Sequence, residues 1–283
     1  MGDITILRAG LIGAGIGASR SPFMHMTEAR ALGLDLSYEL FDLDHIPGGV
    51  AALPRILAEV REAGYLGVNI TYPVKQAVLP LLDTVSDDAR ALQACNTVVF
   101  RDGASHGHNT DWFGFAENVR RGLKGADLAK VVQLGVGGAG SAVTFALIKL
   151  GVRRIAIYDL DAGRAAAAVQ RFAPLAGEAE LVVCRDLEAD MAAATGLVNC
   201  TPVGMAKHPG MPIASSLLRP ALWVADIVYV PLVTELLRAA KAAGCRILGG
   251  GGMAVFQAAE ALGLFTGRLP DADRMLRAFE KNL

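Results

Sequence analysis

The chain has 283 residues, of which 53% are hydrophobic and 19% charged, with Lys+Arg 27 against Asp+Glu 28 and a formal net charge of -1. That length is ample for two packed domains, and the composition is that of an ordered globular protein. Near-neutrality excludes the basic field of a nucleic-acid binder. The sequence starts without the basic, apolar and small-residue sections of a signal peptide, and Ile6 stands where a myristoylation start needs Ser or Thr. No apolar run is long enough to span a bilayer. These features lead to the expectation of a cytoplasmic protein with no membrane attachment.

In chain order, residues 4–12 form an apolar run that predicts a strand. Residues 22–32 predict a helix with Ser21 at the N-cap, Pro22 at the first helical position and Gly33 at the end. Strands are predicted at 36–43 and 67–71, and helices at 50–63 and 87–92. Residues 97–101 and 106–109 predict a hairpin turning at Asp102-Gly103. A helix over 111–122 precedes a second alternation. Its strands are predicted at 130–134, 154–158, 181–183, 196–199, 223–228 and 246–248. Helices are predicted at 139–150, 163–172 and 234–243, and from Met253 onward. Such alternation implies parallel sheets covered on both faces.

Two glycine-rich turns follow predicted strands. Gly135-Val136-Gly137-Gly138-Ala139-Gly140 opens directly into a helix, and Asp159 ends the next strand. This is the setting of a dinucleotide fingerprint, in which glycines let the backbone approach a pyrophosphate and the acid accepts from the ribose hydroxyls. Asp159 would repel a 2'-phosphate, so the expected cofactor is NAD in preference to NADP. The earlier turn, Gly13-Ala14-Gly15-Ile16-Gly17-Ala18, runs on through Ser19-Arg20-Ser21-Pro22 before a helix can start. Its acids, Asp42 and Asp44, come late. It reads as a polar loop whose serines meet a substrate, with helix capping as the simpler role for Ser21.

The segment Asn69-Ile70-Thr71-Tyr72-Pro73-Val74-Lys75 sets an amide, a hydroxyl and an amine just past a short strand, and Asn109-Thr110-Asp111 lies at another such loop. Oxidation of an alcohol needs a base for the hydroxyl proton. A lysine in a partly dry site beside a positive nicotinamide can act as one, because burial and like charge both favour the neutral amine. By residue type alone, Lys75 is more often a solvated surface lysine and Asp111 more often a helix cap.

The segment 69–75 resembles the N-V-T-x-P-x-K signature of the shikimate/quinate dehydrogenase family. Further segments are similar to the family's in the same order. They are Ser19-Arg20-Ser21-Pro22 with His25, Cys95-Asn96-Thr97, Asn109-Thr110-Asp111 with Gly114, and the 135–140 loop. Then come Asn199-Cys200-Thr201-Pro202-Val203-Gly204, Asp226 to Pro231 with Thr234, and Gly252-Met253 with Gln257. The resemblance implies a two-domain α/β enzyme. Residues 1–109 and 250–283 would form an α/β substrate domain completed by C-terminal helices, and 110–249 a Rossmann-type NAD-binding domain, with the site in the cleft. It implies Lys75 as general acid/base and Asp111 as its partner. Ser19 and Ser21 would bind the substrate carboxylate, while Asn69, Thr71, Asn96, Tyr229 and Gln257 would hold ring hydroxyls or line the pocket. Gly135, Gly137, Gly138, Ala139, Asp159, Arg164, Thr201, Pro202, Gly250 and Met253 would hold the cofactor.

The segment Tyr158-Asp159-Leu160-Asp161-Ala162-Gly163-Arg164 lacks the Asn-Arg-Thr/Ser cluster of NADP-using relatives and looks like the NAD-using branch. Met26 after His25, and glycines before Ser19, also differ from the biosynthetic type. The implied substrate is therefore shikimate, quinate, or an amino or other analogue, with a place in aromatic amino acid biosynthesis or in quinate use. Two other readings remain: a methylene-folate dehydrogenase-like enzyme, and an NAD-sensing protein without turnover. Partners are small molecules, with no nucleic acid and no membrane, and the chain is expected as a monomer or homodimer. No metal is expected. His106 and His108 alternate on a strand with no further ligand near them in sequence, and read as hairpin residues. The four cysteines, Cys95, Cys184, Cys200 and Cys245, form no close pair and read as buried thiols.

Overall fold

The computed structural model describes residues 6–282, so the first two residues of the strand predicted at 4–12 lie outside them. The chain divides into two compact units. The first runs up to Thr110 and resumes at Val255, and the second spans Asp111–Ala254. Among the described residues no helix is long and apolar enough to cross a membrane.

In the first unit the elements are β1 (Leu7–Gly13), α1 (Ser21–Ala31), β2 (Leu36–Asp42), α2 (Leu53–Glu62), β3 (Gly67–Ile70), β4 (Thr84–Val85), α3 (Asp87–Leu92), β5 (Thr97–Arg101) and β6 (Ala104–His108). The sheet order is β2-β1-β3-β5-β6-β4. This sheet is mixed rather than parallel throughout. β1 runs parallel to β2 and β3, while β5 runs antiparallel to β3 and β6. The cause is the tight turn at Asp102-Gly103, where both residues have positive φ, as a two-residue hairpin requires. The short β4 has no apolar pattern of its own and pairs with β6 only through Thr84 and Val85.

Two local expectations change. Ser21 is not the cap of α1: Arg20 holds that position, Ser21 is already helical, and the Ser21 amide donates to Ser19 Oγ at 3.2 Å. The helix predicted over 50–63 opens instead as a 3-10 turn at Gly49–Ala52. The α-helix starts only at Leu53, where Pro54 supplies the fixed φ of a first turn.

The second unit contains α4 (Asp111–Gly122), β7 (Lys130–Leu134), α5 (Gly138–Lys149), β8 (Arg154–Tyr158), α6 (Ala162–Phe172), β9 (Glu180–Val183), α7 (Leu187–Ala193), β10 (Gly196–Asn199), β11 (Trp223–Asp226), α8 (Glu235–Ala242) and β12 (Arg246–Leu248). Its sheet is parallel throughout, in the order β12-β11-β10-β7-β8-β9, which is the doubly wound dinucleotide-fold order. The helix α7 was not expected. Asp186 caps it by accepting the Ala189 amide at 3.0 Å, and Glu188 and Asp190 suit the positive end of its dipole. Finally α9 (Gly251–Thr266) opens in the second unit, and the rest of it with α10 (Ala272–Lys281) belongs to the first.

Each unit has its own core. In the first, one sheet face packs Ile12, Val68, Ile70 and Val98 against Leu53, Ile56 and Val60 of α2. The other face packs Ala9, Leu11, Tyr38 and Val99 against Ala29 of α1 and Ala261, Leu262 and Phe265 of α9. In the second, Val132, Leu134, Leu197 and Val224 meet Leu236 and Leu237 of α8.

Candidate active site

In the first unit the strand order reverses between β1 and β3, and ligand sites in α/β sheets form at the carboxyl ends of strands at such a point. The loop after β1 carries Ser19, Ser21 opens α1 at its end, and the turn after β3 carries Thr71 and Lys75. Backbone bonds tie the two together: the Ala14 amide donates to the Tyr72 carbonyl and the Thr71 amide to the Ile12 carbonyl, each at 2.9 Å. Gly13 makes this possible, because a side chain there would overlap the Thr71 methyl. Lys75 is half-buried, and its carbonyl accepts the Cys95 amide at 2.8 Å, which fastens the turn to the residue before Asn96.

Asn69 on β3 and Asn96 before β5 are both buried. The Tyr38 hydroxyl donates to Asn69 Oδ1 at 2.7 Å. Asn69 Nδ2 donates to the Asn96 carbonyl at 3.3 Å and to Thr97 Oγ1 at 3.0 Å. Thr97 Oγ1 in turn meets Asn96 Oδ1 at 3.0 Å, and Asn96 Nδ2 donates to Thr110 Oγ1 at 3.0 Å. Thr110 Oγ1 lies 3.4 Å from Gln257 Oε1 on α9. A single polar chain therefore runs from β2 through β3 and β5 to α9, and joins Asn69, Asn96 and Gln257. Burial drives the Tyr38 phenol well above its usual range, against the opposing effect of the Ser21 hydroxyl beside it, so it stays protonated. His25 stacks on the Tyr38 ring at 4.6 Å, and burial pushes its imidazole down to about 3, leaving it neutral.

The first glycine turn is closed by its own side chain. Asp42 accepts the amides of Gly15 at 2.9 Å, Ile16 at 3.0 Å and Asp44 at 3.1 Å. Desolvation raises the Asp42 carboxyl, but those amide bonds outweigh it and hold the group below its ordinary range. The Gly15 and Ile16 amides, which could face a phosphate, are bonded to a carboxylate instead.

In the second unit the order reverses between β7 and β10. The 135–140 loop leaves β7 there and α5 starts at Gly138. Gly135 has φ +83°, and a side chain at Gly140 would overlap the Gly135 carbonyl oxygen, so the loop lies flat against the helix start. Around Gly137 and Gly138 a Cβ would meet nothing within 4 Å, so that backbone is open to a ligand at a helix N-terminus. Asp159 accepts the Val136 amide at 3.0 Å and pairs with Arg164 at 3.2 Å. Thr201, at the end of β10, donates through Oγ1 to Asn199 Oδ1 at 2.7 Å, and Pro202 beside it is exposed. These donors and open amides fit a dinucleotide phosphate, and Asp159 fits a ribose with free hydroxyls. Gly250 and Met253 are buried at the opening of α9, Tyr229 is exposed on the loop after β11, and Asp111 starts α4 largely buried.

Sequence reasoning missed two residues. Tyr38 gave no sign beyond being an aromatic at an alternating position. Gln133 did give one: it is a polar residue inside the apolar run of β7, and a buried amide must find partners. It donates to the Gly135 and Gly140 carbonyls, both at 2.9 Å, and accepts from Thr144 Oγ1 at 2.9 Å, which braces the glycine loop from below. Asp226, buried, is held likewise by Asn199 Nδ2 at 3.0 Å and Thr234 Oγ1 at 2.7 Å, so two of the segments that carry the family resemblance interlock. An open recess of about 410 Å³ on β5 and β6 is lined by Ser86, Arg101, His106 and His108, among others, and by none of the expected site residues. Among the described residues no group of three or more His, Cys, Asp or Glu is arranged to hold a metal ion.

Residues 11–98 match the family model described as shikimate dehydrogenase substrate binding domain. The chain is 49% identical over 269 residues to a shikimate dehydrogenase (NADP(+)) of Streptomyces avermitilis, covering 94% of this chain and 92% of the relative. It is 44% identical over 283 residues to a quinate/shikimate dehydrogenase (NAD(+)) of Corynebacterium glutamicum, covering 99% of each. Among solved structures, quinate dehydrogenase from Corynebacterium glutamicum in complex with NAD superposes with a TM-score of 0.93 at 44% identity, covering 98% of this chain and 100% of that one. The shikimate 5-dehydrogenase of Thermus thermophilus in complex with NADP(H) and shikimate superposes with a TM-score of 0.86 at 38% identity, over 98% and 100%. With near-complete coverage at such identity, two α/β units of this topology and the ordered site segments, this chain belongs to the shikimate/quinate dehydrogenase family.

Proposed function

We propose that the protein is an NAD-dependent oxidoreductase that interconverts a cyclic polyhydroxy carboxylate of the shikimate or quinate type and its 3-dehydro ketone. The observation that carries this reading is the gathering of Ser19, Ser21, Asn69, Thr71 and Lys75 at one end of one sheet. It occurs in a chain nearly half identical to named shikimate and quinate dehydrogenases. Ser19 and Ser21 bind the carboxylate, and Asn69, Thr71, Asn96, Tyr229 and Gln257 hold or enclose the ring. Lys75 takes the hydroxyl proton as the carbon loses its hydride and returns it in the reverse direction, with Asp111 as its partner. Residues 1–109 and 250–283 serve the substrate, and 110–249 the dinucleotide.

When bound, the nicotinamide supplies the hydride acceptor. Gly135, Gly137, Gly138 and Ala139 would hold the dinucleotide's phosphates, Asp159 and Arg164 its adenosine ribose, and Thr201, Pro202, Gly250 and Met253 the remainder. The relatives' names divide between NADP(+) and NAD(+). The Asp159 carboxylate favours NAD, because it accepts from ribose hydroxyls and opposes a 2'-phosphate. The same reading makes the protein a cytoplasmic enzyme of small-molecule metabolism, acting as a monomer or homodimer.

The test is reduction of NAD and, separately, of NADP by the purified protein with quinate and with shikimate. Activity should appear with NAD. Lys75→Ala and Asp111→Ala should each lower kcat by about 10²-fold or more, the scale of a lost acid–base group, while calorimetric NAD binding persists. Near-normal turnover in both variants would remove the assigned pair. Turnover of neither acid by the wild type would remove the substrate class and favour an amino analogue or a sensing role.

A further inference from the structure

Tyr38 belongs to none of the segments that point to the family, yet it sits between two of the residues that those segments bring forward. Across the sheet it pairs with Ala9 of β1, and Ala9 pairs with Gly67 of β3. Both intervening residues are small, so the ring can cross β1 and bring its hydroxyl to Asn69 Oδ1 at 2.7 Å. Below the ring, His25 stacks at 4.6 Å and 19° between planes, and Phe265 packs against His25 at 6.0 Å. His25 Nδ1 is buried with no hydrogen-bond partner, so the imidazole acts on Tyr38 as a packed plate.

The bonds around Asn69 have a direction. A carboxamide has two donor protons and two acceptor lone pairs. Both protons of Asn69 are committed, to the Asn96 carbonyl at 3.3 Å and Thr97 Oγ1 at 3.0 Å, and one lone pair receives the Tyr38 proton. What remains is a single acceptor site. An amide rotated by half a turn would set its NH₂ against the Tyr38 hydroxyl and its oxygen against the Asn96 carbonyl oxygen, an acceptor facing an acceptor.

We propose that Tyr38 is a positioning residue, which together with the Asn96 carbonyl holds Asn69 as a pure hydrogen-bond acceptor toward the ligand. The group that meets Asn69 must then carry a proton to donate, as a ring hydroxyl does and a ketone or ether oxygen does not. A site that pairs a buried acceptor in this way discriminates strongly against analogues lacking the donor, because the acceptor is left unpaired. This inference rests on the proposed polyhydroxy carboxylate chemistry and specifies how one of its hydroxyls is read.

The experiment compares wild type, Tyr38→Phe, Asn69→Ala and the double variant. It measures KM and kcat for quinate and shikimate, KM for NAD, calorimetric Kd for the acid, and the thermal midpoint. Tyr38→Phe keeps the ring and its stack on His25, so folding should be retained with the midpoint within a few degrees. The acid's KM and Kd should rise about tenfold, the size of one lost charge-free hydrogen bond in a buried network. The KM for NAD should be unchanged, and kcat should stay within about threefold. In the Asn69→Ala background the same change should cost less than twofold, since the two residues act through one bond. An unchanged acid KM and Kd in Tyr38→Phe overturns the proposal. So does a tenfold loss that carries over undiminished into Asn69→Ala, which would give Tyr38 a separate role. If the wild type neither binds nor turns over either acid, the functional reading falls and this inference with it. If wild-type activity is present and Tyr38→Phe is silent, only this inference falls.

Discussion

Two aspartates answer the same local problem at the two glycine turns, with opposite results. Asp42 takes the amides of Gly15, Ile16 and Asp44, so the Gly15 and Ile16 amides of that turn are not free for a phosphate. Asp159 takes the Val136 amide and the Arg164 guanidinium, and the backbone at Gly137 and Gly138 stays open. The position of Asp159 at the end of β8 was legible from spacing. That Asp42 would fold back onto its own glycine turn was not, because the contact joins residues 26 and 27 apart. Replacing Asp159 by Ser removes the opposing charge and releases Arg164 for a 2'-phosphate. The ratio of kcat/KM for NADP to that for NAD should rise by about 10²-fold, a range that a single charged contact with a phosphate commands. An unchanged ratio in steady-state assays with both cofactors would mean that Asp159 only braces the loop.

At the scale of an element, the 135–140 loop shows how one glycine pattern contains different constraints. Gly138 opens α5 with nothing near its absent side chain, whereas a Cβ at Gly140 would overlap the Gly135 carbonyl oxygen. Gly138→Ala should leave the urea midpoint unchanged or slightly raised, since alanine favours a helix. Gly140→Ala should destabilise by about 1–3 kcal/mol, the cost of forced backbone movement in a packed site. Equal midpoints for the two variants would contradict the packing described. The sequence pattern marked the loop and its helix correctly. Which glycine is packed against what depends on Gln133, whose amide draws the Gly135 and Gly140 carbonyls together from inside the strand. Two helix starts also differ from their expected places: α2 begins only at Leu53 with Pro54 in its first turn, and Arg20 rather than Ser21 stands at the N-cap of α1.

At the scale of the whole molecule, the first unit is built from both ends of the chain. Its closure depends on α10 packing beside α1, with Met24, Phe256, Met275 and Phe279 in a shared core. Within that contact the buried Glu28 carboxylate accepts the Asp271 amide at 2.7 Å and Arg274 through Nε at 2.8 Å and Nη2 at 2.6 Å. Arg274 is held above its usual range, first by the hydrogen bond to Glu28, which outweighs its desolvation. Breaking a buried ion pair from one side leaves the other group uncompensated, but Arg274 reaches solvent. Arg274→Ala strands the buried carboxylate, so it should lower the urea midpoint clearly and by more than Glu28→Gln, which leaves only a guanidinium that water can reach. Midpoints indistinguishable from wild type in both variants would show that apolar packing alone closes the unit.

By itself the sequence determined the two α/β alternations, the order of their elements, the glycine turn with its acid, and the list of polar side chains near strand ends. All of these follow from local rules: period, turn chemistry and short spacing. Only the tertiary structure decided that the hairpin joins the first sheet antiparallel to β3, that Asp42 takes amides of the first glycine turn, and that the Asn69 oxygen is the atom turned toward Tyr38. Each of those outcomes depends on a partner distant in the chain. A hydrogen bond's direction, unlike a helix or a strand, is set by the full set of groups around it and by no residue alone.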